Sequence, residues 1–535
     1  MTTMVETQDA QVDRRSKYHE ADVVVVGAGV FGCAIAYALA NQGRSVLLLE
    51  RWMHEPDRIV GELLQPGGVA SLKKLGLGHC LEGIDAQPCY GYHVMHKGDE
   101  VAIPYPYMDD EGCILTDMNK KQLPTDDHVN GHANGHVNGH ANGHANGNGH
   151  MYNGDYKKIE PMATKPEGRS FHHGRLITNL RKSCIAHKNI TVVETEVTAT
   201  IRGTHTPQVL GVEARTTDKE TGKKHADCFF GQLTIIADGY ASKFRKQYIS
   251  RAPVVRSKFY ALELIDCPLP PYGYGHVVIG EKHLALLYQI GTHETRALID
   301  VPENLPAASP ANGGVRGYLH KVVIPSLPES VRPSALKALS DGKIPRSMPN
   351  SWLPPTPQTQ HEGVLILGDA MNMRHPLTGG GMTVAFNDAL LVAELLDPDV
   401  VPSLSDTAAV RAAMKTFHWR RKRLTSIVNV LAQALYSLFA ASDWRLDALR
   451  RGCFEYFQRG ITDEPCAMLA GLLESPTTLA YHFFSVAFVA LWLHLSDSIG
   501  SPMGLWKLPM VLVECVMILW KACVVFLPVM WAEAA

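Results

Sequence analysis

The 535 residues contain no Cys-x-x-Cys pair, no strong excess of either charge and no apolar run in the first twenty positions. The eleven cysteines, odd in number and scattered from Cys33 to Cys523, exclude a disulfide framework and give no support to a zinc cluster. They read as reduced thiols in a cytosolic environment. With 51 Lys+Arg against 53 Asp+Glu, a formal charge of −2 excludes a strongly basic binder or an acidic solvating tail, so no nucleic-acid partner is expected. A hydrophobic content of 46% is ordinary for a globular protein and excludes a polytopic transporter. Residues 1–20 are polar, so no cleavable signal peptide is expected. The length exceeds one ordinary core and calls for two or more subdomains.

What the chain does have in excess is histidine, 25 in all. Six of them lie in a degenerate Asn-Gly-His-(Ala/Val) repeat over residues 128–150. The repeat has almost no apolar surface to offset its ordering entropy, so it reads as a disordered surface insertion. Metal capture by its closely spaced imidazoles is the other reading. The C-terminus differs in character. Leu479–Leu495 and Pro509–Trp531 are apolar and, as helices, would reach roughly 25 and 35 Å, close to the hydrocarbon thickness of a bilayer. Ser475-Pro476 supplies a cap and first helical residue for the former. Glu514 and Lys521, seven apart, share a helix face in the latter. That favours a helix pair lying partly in the membrane with this face against protein; a buried helical hairpin of a soluble core is the alternative. Arg420–Arg423, ahead of the apolar stretch Ile427–Phe439, reads either as a site for anionic headgroups or as a solvated basic helix face.

Three motifs carry the chemistry. The first follows a short buried strand, Asp22–Val26: Gly27-Ala28-Gly29-Val30-Phe31-Gly32 opens a helix, and Glu50 ends the next strand, Ser45–Glu50. Gly27 permits a tight turn, Gly29 lets backbone approach a pyrophosphate, Gly32 allows close helix–strand packing, and Glu50 can accept from a ribose hydroxyl. This predicts dinucleotide binding without choosing FAD over NAD. Two later segments choose FAD. Gln232–Gly239 is a strand ending Ala-Asp-Gly, and Gly363–Ala370 is a strand ending Gly-Asp-Ala, followed by Arg374–Met382 with its three glycines. An Asp at a strand's carboxyl end can hold a ribityl hydroxyl, and the glycines let a helix N-terminus approach an isoalloxazine. Elsewhere, residues 175–189 read as a helix, residues 208–237 alternate as antiparallel β, residues 255–300 give further strands, and the chain beyond Ser405 reads as helical.

In this order the set resembles the flavoprotein monooxygenases of the p-hydroxybenzoate hydroxylase type. The likeness narrows at residues 55–68 (EPDRIVGELLQPGG), 83–87, Phe171–Arg175 and Asn372–Asp388, which resemble the squalene epoxidase (squalene monooxygenase) family. It runs from about residue 21 to the C-terminus, outside the histidine repeat. The resemblance implies an α/β fold: a Rossmann-type FAD-binding domain, an interleaved β-rich substrate domain and a helical, membrane-associated C-terminus. The boundaries expected are a polar tail at 1–20, FAD-binding parts at 21–110, 171–250 and 351–400, an insertion-bearing loop at 111–170, a substrate domain at 251–350 and a membrane-associated domain at 401–535.

It further implies FAD- and O2-dependent epoxidation of squalene to 2,3-oxidosqualene through a flavin C4a-hydroperoxide. Electrons would come from NADPH through a separate cytochrome P450 reductase, in sterol biosynthesis of the ergosterol type. The setting would be membrane lipid at the cytosolic face of the endoplasmic reticulum, with lipid droplets and other microsomal membranes as further sites. Such a reaction needs no Ser-His-Asp or paired-carboxylate site, because the alkene is already a nucleophile; the protein supplies positioning and a dry pocket. By position, the cofactor-binding residues implied are Gly27, Gly29, Val30, Phe31, Gly32, Glu50, Arg51, Arg58, Leu63, Arg175, Val197, Asp369 and Met382. Tyr92 is implied as the candidate catalytic residue, orienting an active-site group, and Tyr92 and Tyr288 as pocket-lining residues. His375 reads as a proton donor or as a structural hydrogen-bonding group. A flavin-dependent isoprenoid-lipid reductase and a non-enzymatic lipid-binding chaperone of the same fold are the competing assignments.

Overall fold

The computed structural model describes residues 8–109, 112–115, 165–218, 220–280, 283–340, 345–440, 443–499 and 504–534. The histidine repeat at 128–150 lies outside the described residues. The chain divides into two units, Pro106–Pro166 and everything else. Among the described residues of the smaller unit, Met108 bridges Ile114 and the Asp109 carboxylate accepts from the Cys113 amide at 2.7 Å.

The larger unit is built on two main sheets. In the first, Ile190–Arg202, Val46–Glu50, Glu20–Val26, Lys224–Ile236 and Val364–Ile366 run parallel in that spatial order. Val23, Val24 and Val25 are fully buried, as expected for a parallel strand covered on both faces. Val30–Asn41 packs against both His173–Ala186 and Gly381–Leu395. The reading of 208–237 as antiparallel holds only in part. Lys224–Phe230 pairs antiparallel with Val209–Thr217, whereas Phe230–Ile236 pairs parallel with the first strand. The physical reason is burial: alternation ends at Leu233, and Leu233–Ile236 are buried on both faces.

The second sheet has seven strands in the order Arg346–Trp352, Val254–Ile265, Glu294–Pro302, Leu284–Gln289, Gly275–Ile279, Gly91–His96 and Asp99–Pro104. All its pairings are antiparallel except Gly275–Ile279 with Gly91–His96. Gly91–Pro104, grouped by sequence with the first nucleotide-binding part, thus forms one edge of the sheet that 251–350 begins. Gly168–Ser170 joins a small third sheet between Leu63–Leu64 and Gln87–Cys89.

From Thr407 onward every described regular element is helical. Two helices, Pro476–Ile499 and Gly504–Ala534, are long and apolar enough to cross a membrane. Ser475 caps the first, its Oγ accepting from the Thr478 amide at 3.3 Å. The two pack on each other, and each also packs on Trp444–Gln458. Their outer faces carry Trp506, Trp520 and Trp531, at 88%, 70% and 78% exposure. Two of their charged groups are paired with protein: Glu514 lies 2.8 Å from His494, and Lys521 lies 2.9 Å from Asp443. The basic run 420–423 does not form one face. Arg420 pairs with Glu394 at 2.6 Å, Lys422 sits over the Trp419 ring, and Arg421 is buried on Asp388 at 2.7 Å. Successive helix residues point about 100° apart, which scatters such a run around the axis.

Candidate flavin site

A cavity of about 300 Å³ opens where the first sheet's carboxyl ends meet the second sheet. Its wall includes Gly29, Val30 and Phe31 from the first motif and Gly239 from the second. Asp369, Gly379, Gly381 and Met382 come from the third motif, joined by Arg58, Leu63, Tyr92 and Tyr288. Three motifs hundreds of residues apart therefore share one wall.

The first turn is built by close approach. Gly27 has φ +101°, and a Cβ there would lie 2.5 Å from the Ala237 carbonyl oxygen of the second motif. A Cβ on Gly32 would run into the Gly27 carbonyl oxygen. Gly29 has nothing within 4 Å of its missing side chain, so backbone there is open to a ligand. Gly29 caps Val30–Asn41 without a side-chain bond, leaving the helix's first N–H groups for an anion. The Glu50 carboxylate accepts from the Ala28 amide at 2.7 Å and the Trp52 amide at 3.2 Å. Arg51 stacks over Trp52 at 3.6 Å and lies 3.9 Å from Glu196, on an open cleft beyond the cavity.

Arg175 and Val197 are not brought to the cavity. The Arg175 guanidinium sits 4.0 Å from Asp85, and Val197 is packed in the core of the first sheet. The reason for Arg175 is helical phase. His173, Ile177 and Arg181, each four apart, face the cavity, and Arg175 lies about 200° away from His173. Arg181 is the arginine that reaches the nucleotide turn. It donates to Ala28 O at 2.9 Å, to Trp52 O at 2.9 Å and to His54 O at 3.1 Å, and stands 3.4 Å from Glu50. An arginine inside the apolar stripe Leu176, Ile177, Leu180, Cys184 was a sequence signal for it.

Arg245, also unforeseen, ties the second and third motifs together. Its guanidinium donates to Gly239 O, Tyr240 O, Asp369 O and Ala370 O at 2.8–3.2 Å. Carbonyl partners leave no mark in a sequence. Beside it, Asp238 accepts from the Lys243 amide at 2.9 Å, while its other oxygen, Oδ1, is buried without a partner. Burial pushes this carboxyl up from its usual range. Arg58 faces Asp369 at 3.7 Å, and its Nε is buried without a partner.

The loop Asn372–Met382 closes the other side. Tyr92 Oη donates to Thr378 O at 3.0 Å and accepts from Gln65 Nε2 at 2.7 Å; Tyr105 donates to Gln65 Oε1 at 2.5 Å. Burial pushes the Tyr92 phenol well above its ordinary value, so it stays protonated. Tyr288 donates to Glu62 Oε2 at 3.4 Å, and Glu62 is held bidentately by Arg296 at 2.8 and 2.9 Å. His375 Nδ1 accepts from the Leu377 amide at 3.2 Å, and its ring stacks on Tyr436 at 3.9 Å. Burial lowers its pKa, as it lowers that of His173 to about 3, so both imidazoles are held neutral.

The residues present fit FAD. There is an uncapped helix start for a pyrophosphate, a glycine with open space beside it, and orphaned polar atoms on Asp238 and Arg58 near the cavity. A second cavity, lined almost wholly by apolar groups, shares Tyr92, Val277 and Leu377 with the first and extends to Leu435, Phe439, Phe457 and Leu469.

Comparison with known proteins decides the family. The squalene epoxidase family model matches residues 230–506. A squalene epoxidase of Gibberella zeae is 61% identical over 535 residues, covering all of both chains. The chain belongs to the squalene epoxidase family. The family's member from Aspergillus fumigatus is 50% identical over 98% of this chain and 96% of its own. An FAD dependent oxidoreductase model matches residues 22–54, around the first glycine turn. Among solved structures, a triple mutant of the flavin-dependent brominase Bmp2 superposes with a TM-score of 0.60 at 14% identity, covering 87% of this chain and 98% of its own. That likeness speaks to the fold. This squalene epoxidase-family chain is an FAD-dependent monooxygenase.

Proposed function

We propose that the protein inserts one atom of O2 into a terminal double bond of squalene, giving (S)-2,3-epoxysqualene and water. The electrons start on NADPH and arrive through a separate cytochrome P450 reductase; the setting is the cytosolic face of the endoplasmic reticulum, in sterol biosynthesis. Bound FAD supplies the oxygen-activating chemistry. The chain's residues bind, orient and exclude water. The helix start at Val30–Phe31 takes the pyrophosphate, with Gly27, Gly29 and Gly32 shaping the turn. Glu50 and Arg51 take the adenosine end, while Arg175 and Val197 support the elements that carry it. Arg58 and Asp369 take the ribityl and phosphate region. Leu63 and the Met382 backbone flank the flavin, and Tyr92 and Tyr288 line the substrate side.

The observation that carries this reading is the apolar cavity that shares the wall residues Tyr92, Val277 and Leu377 with the flavin cavity and is bordered by C-terminal helices. A hydrocarbon gains about 25 cal/mol for each Å² of apolar surface removed from water, and it partitions into the bilayer that the two long helices suit. The test is incubation of flavin-loaded protein with squalene, NADPH, a P450 reductase and heavy-isotope O2. Labelled 2,3-epoxysqualene is expected; its absence from active, flavin-loaded protein overturns the reading.

A further inference from the structure

The last turn of the C-terminal helix ends inside the protein. Trp531 is largely exposed, yet Glu533, two residues later, is 1% exposed. Its Oε2 accepts from Asn429 Nδ2 at 2.9 Å. The same amide group donates to Asn372 Oδ1 at 3.1 Å. Asn372 Oδ1 also accepts from Arg374 Nη2 at 3.0 Å and from Arg421 Nη2 at 3.2 Å. Arg374 then donates to Gly381 O at 3.3 Å, at the start of the helix beside the flavin cavity. A continuous set of hydrogen bonds thus runs from the terminal helix to the loop Asn372–Met382.

Burial makes these bonds costly to break. Arg374 and Arg421 are two buried guanidiniums sharing one asparagine oxygen. Asp388 holds Arg421 directly, at 2.7 and 3.1 Å. Arg374 makes hydrogen bonds to Asn372 and Gly381. Glu533 adds a further carboxyl group, joined to the cluster through Asn429, with its other oxygen, Oε1, buried without a hydrogen-bond partner. Removing this group leaves an N–H of the buried Asn429 amide without its acceptor, a cost passed on to the Asn372 oxygen that Asn429 shares with both arginines.

We propose that Glu533 is a positioning residue for the flavin. It sets the Asn372–Met382 loop through Asn429, Asn372 and Arg374, so that the last turn of the membrane-associated helix is part of the cofactor site. The proposal rests on the assignment of the cavity to FAD.

The test compares full-length Glu533→Ala, Glu533→Gln and Glu514→Gln with wild type, each in the same detergent or vesicles, with a P450 reductase and squalene added for the NADPH measurement. Four quantities are read: FAD dissociation constant, melting temperature of the FAD-free protein, amide exchange over residues 372–382, and peroxide released per NADPH consumed. Glu533→Ala is expected to weaken FAD about 10-fold, equivalent to 1.4 kcal/mol. It also speeds exchange in the loop and raises peroxide release. Glu533→Gln keeps an acceptor for Asn429 but loses the charge, and falls between. Glu514→Gln, on the same helix but paired with His494, behaves as wild type. A purely structural role predicts a lower melting temperature with FAD affinity and loop exchange unchanged in both Glu533 variants, and that result overturns the proposal. If Glu533→Ala does not fold, the isosteric Glu533→Gln decides on the same readings. Wild-type protein that binds no FAD overturns the cavity assignment instead.

Discussion

The turn at Gly27–Gly32 and the loop at Asn372–Met382 border the same cavity, but they are held in opposite ways. The turn is shaped largely by its own residues: a Cβ at Gly32 meets an oxygen five residues earlier, the helix that follows presents its own N–H groups, and Glu50 and Arg181 meet it from outside at Ala28. The loop is shaped from outside. Tyr92 and Gln65 grip Thr378, Leu353 bridges Met373, and Arg421 and Asn429 hold Asn372. A self-shaped turn fails at its own residues, whereas a braced loop fails wherever a brace is removed.

The largest effect is expected at the turn. Gly32→Ala forces the new methyl group into the Gly27 carbonyl, and FAD affinity should fall more than about 100-fold, near 2.7 kcal/mol. Flavin fluorescence titration checks it; wild-type affinity would mean the turn has slack that the geometry denies. Arg245→Ala comes next. It strips four carbonyl oxygens of a charged donor and uncouples the second and third motifs, for a loss of about 2 kcal/mol in chemical denaturation.

The pH dependence is smaller. An imidazole held neutral in the folded state, as His173 is with its pKa near 3, refuses protons that the unfolded chain takes up below its ordinary value of 6.5. Stability therefore rises with pH across that window and is lost as the solution is acidified. His173→Asn, which keeps a donor for Gly61 O at the Nδ1 position, should flatten the decline between pH 6.5 and 5 by about 1–2 kcal/mol. An unchanged slope would place the acid sensitivity elsewhere, with His276, lowered to about 4, the next group to replace. The smallest effect is Tyr92→Phe, which removes one of the two grips on Thr378 and leaves Gln65 in place. About 1 kcal/mol is expected, read as a modest rise in peroxide released per NADPH with FAD affinity nearly unchanged. A collapse of FAD binding in this variant would show that Tyr92, not Gln65, carries the loop.

Legibility in the sequence followed the same division. Val23–Val26, the glycine turn and Glu50 lie within about thirty residues and announce a nucleotide site by spacing. The apolar helices announce themselves by length, and the pairing of Glu514 and Lys521 with protein groups follows from their common face. Arg175 stood out by its motif, but helical phase turns the cavity side of that helix to His173, Ile177 and Arg181. Arg245 and Gln65 were invisible because their main partners are backbone carbonyls and two tyrosines, Tyr92 and Tyr105, further along the chain. The edge strands Gly91–Pro104 could not be assigned to a sheet, since hydrogen-bonded neighbours in a sheet carry no mark of sequence distance.

The sequence by itself determined the kind of protein: a flavin fold, by short-range rules that constrain backbone at glycines, strand ends and helix starts, and a tail with two helices apolar and long enough to cross a membrane. Only the tertiary structure decided which arginines face the cofactor, what braces the flavin loop, and that the last turn of the tail returns to that loop. Those outcomes depend on which distant groups must share a buried space, where each unpaired charge or carbonyl is costly and finds its partner across the fold rather than along the chain.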